Sequence, residues 1–131
     1  MDPRRPAQLT APAERSSVRL ARLVAAGVGA EAGLSIDDTE DLRIAVSELV
    51  ALLVEGADDP RQSIVLTYRA RPGEVTVDGE RESATAGDER AGAAVDDLAL
   101  EILRVVVDDH RFEADTAGRR FHLVKRTRAV A

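Results

Sequence analysis

Few residues in this chain are of a type and in a place to do chemistry, and most of them are carboxylates. Glu48 sits inside an apolar stretch, between Ala45 and Leu52 on one helix surface. A carboxylate there is either held for acid–base work, solvated at the edge of the stripe, or paired with Arg43 or Arg104. Asp78 ends a short alternating segment and precedes Gly79, and Asp-Gly is a common turn pair. Asp108, Asp109 and His110 are metal-ligand types, but consecutive residues rarely converge on one ion. A helix end running into a strand explains them better, so no metal site is assigned. His122 falls in an alternating strand as an exposed-face residue.

The elements around these residues are legible from periodicity. Ser35 is a good N-cap, with Asp38 at the capping-box spacing and Asp37, Asp38, Glu40 and Asp41 in the first turn, where negative charge suits the helix dipole. Leu42, Ala45, Val46, Leu49, Leu52 and Leu53 then share one face, so a helix is expected from Ile36 to about Glu55. An earlier helix is expected from Glu14 to about Ala32, stopped near Gly33. Gln8 to Thr10 reads as a short edge strand ended by Pro12. Ser63 to Ala70 and Glu74 to Asp78 read as a hairpin around Arg71-Pro72-Gly73. Residues 79–94 have almost no large apolar side chain, and a mobile loop is expected there. Val95 to Val107 reads as a helix with Leu98, Ile102, Val105 and Val106 inward. His110 to Thr116 and Arg119 to Thr127 form a closing hairpin. The order β-α-α-β-β-α-β-β means an α+β, two-layer sandwich in one domain over 8–127, behind a flexible tail at 1–7.

Composition narrows the classes. The 131 residues suit one domain with an aliphatic core, since there is no Trp, one Tyr and two Phe. No apolar run approaches the roughly 20 residues that span a bilayer, and no signal-peptide core follows the N-terminus. With no cysteine, disulfides and thiolate metal sites are excluded. A cytoplasmic protein with no membrane partner is expected. The formal charge of -6 argues against direct nucleic-acid binding through a broad basic surface.

Three segments carry a resemblance to a known family: Leu34 to Glu48, Leu100 to Asp109, and Ala117 to Arg126. In this order they resemble the histidine-kinase-like (GHKL, Bergerat-type) ATPase fold, and within it the small anti-sigma factor serine kinases. The last segment is similar to the family's Gly-Thr-Arg-Val hairpin. The resemblance implies that Glu48 stands where the kinases keep the carboxylate acting on the attacking group, and Asp78 where they keep the adenine ligand. It also locates departures. The magnesium-holding Asn of the family is Leu52 here, and an alkyl chain cannot ligate Mg²⁺. The Asp-x-Gly-x-Gly spacing is broken after Asp78, with Glu80 and Glu82 following. The second glycine box aligns with Asp97-Leu98-Ala99, an acidic residue where helix amides normally cradle phosphate.

The expectation is therefore an anti-sigma factor-like regulator that acts by protein–protein binding, with ATP binding and kinase activity lost and no cofactor. Its partners would be a sigma factor, an anti-sigma antagonist, or both, and it could form a homodimer. The first helix and its neighbours would be the binding surface, with acidic residues steering a basic partner. The rival reading is an active, divergent serine/threonine kinase that phosphorylates an antagonist, using ATP, Mg²⁺ and Glu48. A third is a dimeric structural module unrelated to transcription.

Overall fold

The computed structural model describes residues 5–82 and 96–128. The elements are β1 (Ala7–Pro12), α1 (Ser17–Glu31), α2 (Ile36–Val54), β2 (Ser63–Arg71), β3 (Glu74–Glu82), α3 (Asp97–Val106), β4 (Asp109–Asp115) and β5 (Gly118–Arg126). The strands form one antiparallel sheet in the order β1-β2-β3-β5-β4. The helices pack on one face, with α2 in the middle against α1, α3, β3 and β5. This is the expected α+β two-layer sandwich.

α2 forms because its ends and its face agree. The Ser35 side chain accepts the Asp38 N–H at 3.0 Å, which satisfies one of the free amides of the first turn. Leu42, Ala45, Val46, Leu49, Val50 and Leu53 are fully buried against the sheet. The inner face of the sheet answers with Ile64, Leu66, Tyr68, Val75, Val77 and Leu123. Tyr68 is the largest of the fully buried side chains, and its hydroxyl donates to the Ala21 carbonyl at 2.9 Å, tying β2 to α1.

The structure departs from the sequence expectations in two elements. β3 does not end at Asp78; it runs on to Glu82, paired with β5 through Gly79↔Phe121 and Arg81↔Arg119. The glycine that suggested a turn is a packing residue. A Cβ on Gly79 would sit 2.7 Å from Phe121 Cζ and 2.8 Å from Leu66 Cδ2. The first four residues of the expected loop at 79–94 are thus strand, and its last twelve lie outside the described residues. The second departure is the face of α3. Ala99, Leu103 and Val106 are its buried residues, whereas Leu98 and Val105 are 67% and 72% exposed.

Charged residues are also buried. Arg81 and Arg119, opposite each other on β3 and β5, lie on the inner face and donate to the Glu55 and Leu52 carbonyls at 2.9 and 2.8 Å. They satisfy carbonyls that the end of a helix leaves without partners, and their charge suits its negative pole. At the other end of α2, Asp38 and Lys125 are both 3% exposed, 3.6 Å apart, with Asp41 at 3.5 Å from Lys125.

Candidate functional site

The side chains of α2 that follow the core stripe open onto a cleft. Glu48, Ala51, Leu52 and Glu55 are three or four residues apart, so they share one edge of the helix. The N-terminus of α3, with Asp96 and Ala99, forms one wall, and Glu14 and Arg15 before α1 form another. The cavity is about 680 Å³. Its charge is lopsided, with the carboxylates of Glu14, Glu48, Glu55 and Asp96 around one guanidinium, Arg15.

Glu48 is half-buried on this cleft. Neither expected partner reaches it. Arg43 pairs with Glu40 at 3.0 Å, and Arg104 with Glu101 at 3.4 Å. Leu52, one turn on, is 8% exposed and belongs to the core as well as to the cleft wall. The start of α3 is already capped from within. Asp96 is its N-cap, and the Asp96 carboxylate accepts the Leu98 N–H at 3.0 Å.

Asp78 is elsewhere. The alternation of β3 buries Val77 and turns Asp78 to the sheet face opposite the helices. There it meets His122 of β5, with Asp78 Oδ1 2.7 Å from His122 Nδ1. Register lines up Gln8, Thr67, Asp78, His122 and Arg111 as one polar row across all five strands. This row floors a shallow trough of about 420 Å³. Glu48 and Asp78 therefore stand on opposite sides of the sheet, and a single ligand cannot touch both. Asp78 is not a strand-end turn residue, and His122 is on the open face as its alternation suggested, though half-buried against Asp78.

The remaining candidates resolve as structure. Asp108 accepts the Arg126 N–H at 2.7 Å and fixes β5 to the end of α3. Among the described residues no group of three or more His, Cys, Asp and Glu is arranged to hold a metal ion, and no helix is long and apolar enough to cross a membrane.

Sequence reasoning missed the Asp38 cluster. Burial raises the Asp38 carboxyl pKa, but the Arg128 N–H, the Ser35 hydroxyl and Lys125 together outweigh it and hold the group below its ordinary value. Asp38 Oδ2 takes the Arg128 N–H at 3.2 Å and the Thr127 hydroxyl at 3.4 Å. The available signal was that Lys125, the only lysine, stands in an alternating strand at an inward position.

Comparison with known proteins agrees with this architecture. The model of the histidine kinase-like ATPase domain family matches residues 11–125, from the end of β1 almost to the end of β5. Among solved structures, the chain is similar to the crystal structure of the RsbU and RsbW domains of Rv1364c from Mycobacterium tuberculosis. The TM-score is 0.67 at 23% identity, covering 97% of this chain and 34% of that one. This chain thus spans about a third of that protein's length, and at this identity the likeness is one of fold. No curated protein matches the sequence. Since the family model takes in six of the eight elements whole, the last residues of β1 and all of β5 but Arg126, the chain belongs to the histidine kinase-like ATPase domain family.

Proposed function

We propose that this chain is a regulatory protein of the anti-sigma factor type, acting by protein–protein binding, with ATP binding and kinase activity lost. The observation that carries the reading is the chemistry of the cleft beside Glu48. Leu52 offers no oxygen to a magnesium ion, which needs oxygen ligands. The amide of Leu98, which a phosphate would use, is engaged by the Asp96 carboxylate. Glu14, Glu55 and Glu48 leave the lining predominantly acidic, with Arg15 its one cation, and like charges at close range disfavour a bound triphosphate. Asp78, the adenine position implied by the resemblance, bonds His122 on the far face instead. The residues present do not fit Mg-ATP.

The partners on this reading are a sigma factor, an anti-sigma antagonist, or both, in the cytoplasm, with the chain as a monomer or a homodimer. One observation favours the rival kinase reading: Glu48 lines the cleft and makes no hydrogen bond or ion pair among the described residues. Calorimetric titration with millimolar Mg-ATP and Mg-ADP separates the two. The expected result is no saturable heat. A micromolar dissociation constant that depends on Mg²⁺ overturns the loss of nucleotide binding and restores the kinase.

A further inference from the structure

α3 is apolar on two sides. One side, Ala99, Leu103 and Val106, packs into the domain. The other carries Leu98, Ile102 and Val105, at steps of four and three residues, so they form one stripe along the helix. Leu98 and Val105 are 67% and 72% exposed, and Ile102 between them is half-buried. Single exposed apolar residues need no explanation. A ridge spanning seven residues, about 10 Å of helix, is different. It has the spacing by which one helix docks on another.

The charge beside this ridge is specific. Asp97 and Glu101 stand one residue before Leu98 and Ile102 along its edge, and both are exposed. Arg104, the only cation on α3, is taken up by Glu101 at 3.4 Å. The N-terminal end of the ridge adjoins the cleft, which adds Asp96, Glu48, Glu55 and Glu14 against one cation, Arg15. The exposed apolar pair of α1 has the opposite setting. Leu20 and Leu23 are 47% and 69% exposed, beside Arg15, Arg19 and Arg22. The chain thus offers two apolar ridges of contrasting charge, and only the α3 ridge suits a basic partner.

We infer that the Leu98–Ile102–Val105 ridge of α3 is a docking surface for an amphipathic helix of a partner protein that carries Lys or Arg beside its apolar stripe. The inference rests on the proposed reading that this chain works by protein–protein binding, and it names the surface and the chemistry of the partner. The apolar ridge supplies the buried contact, and the acidic edge sets orientation and encounter rate.

The test uses the full chain in the cells that normally express it. A photocrosslinking amino acid, p-benzoylphenylalanine, replaces Val105 in one version and Leu23 in another, and cross-linked peptides are mapped by mass spectrometry. The expected result is capture at Val105 of a helical segment with apolar residues three and four apart and Lys or Arg flanking them. Capture at Leu23 alone overturns the α3 surface and leaves the protein-binding function standing. Capture at neither position overturns both. A Val105 cross-link within the chain itself, or to a second copy, overturns the surface, because another occupant covers the ridge. The double variant Leu98→Ser/Val105→Ser supplies the second readout. Both side chains are exposed, so its thermal midpoint should match the wild type while affinity for the captured partner falls about tenfold or more. Unchanged affinity in the double variant also overturns the proposal.

Discussion

Replacing Gly79 by alanine tests whether this glycine serves packing or a ligand. Gly79 faces inward from β3, and the Phe121 ring of the neighbouring strand lies against its Cα. A methyl group there would stand 2.7 Å from Phe121 Cζ and 2.8 Å from Leu66 Cδ2. Those are both more than half an ångström inside the roughly 3.5–4.0 Å at which carbon atoms rest. The ring cannot slide freely, because Phe121 is 3% exposed and Leu66 fully buried. Overpacking a core by one methyl costs about 1–3 kcal/mol. Alanine returns about 0.5–1 kcal/mol because it loses less backbone entropy than glycine in a strand. The net expectation is a loss of about 1–2 kcal/mol, read as a urea midpoint lower by roughly 0.5–1.5 M at unchanged slope. The double variant Gly79→Ala/Phe121→Leu should recover most of it, since removing the ring frees the space, and the cycle isolates the coupling. If Gly79→Ala is neutral or stabilising, or if Phe121→Leu gives no recovery, the ring does not lie on the glycine. The residue would then be free for the turn or nucleotide role that its sequence context suggested.

Other outcomes follow from the same packing. Leu52→Ala should destabilise by about 2–5 kcal/mol through lost burial and a cavity, and Glu48→Ala by under about 1 kcal/mol, since its carboxylate holds no partner; urea melts rank the two. Arg119→Met should cost about 1–3 kcal/mol in thermal or urea unfolding, because the buried Leu52 carbonyl loses its donor. Asp38→Asn should be destabilising by about 3 kcal/mol at pH 7, where it weakens the hold on buried Lys125. The folded pKa of Asp38 is depressed, so its contribution is present above the unfolded value of about 3.9 and is lost as pH falls through the lower folded value. The gap between wild type and Asp38→Asn should therefore close on acidification below about pH 4 in unfolding curves taken across pH.

The sequence announced α2 almost to the residue, because capping and periodicity coincide there: Ser35 does cap Asp38, and the Leu42-to-Leu53 stripe is buried. The hairpins and the sheet-on-helix architecture followed from alternation of the same kind. What stayed hidden was the burial of charge. Arg81, Arg119 and Asp38 read as solvent-facing by type, and their burial depends on contacts 26 to 90 residues away in sequence, which no local pattern encodes; only for Lys125 did strand alternation carry a signal. The end of β3 was misplaced because Asp78-Gly79 has the composition of a turn. Only the register with Phe121 shows that the glycine is there to admit a ring.

The face of α3 was misjudged for a more useful reason. Periodicity identifies an apolar stripe, but it assigns that stripe to the core only when the helix has a single one. α3 has two, and Ala99, Leu103 and Val106 are the buried one, with Ile102 of the other partly packed against the core. Helical periodicity alone predicts Leu98 and Val105 inward, and the structure exposes both. Their exposure means that they contribute little to stability. The charge pattern then shifts with them. Around the exposed Leu20 and Leu23 of α1 the nearby charges include Arg15, Arg19 and Arg22. The carboxylates beside an exposed apolar ridge are those of α3 and the adjoining cleft. On the proposed reading, a basic partner helix would therefore be met beside the cleft wall that carries Leu52 and Asp96, rather than on the first helix.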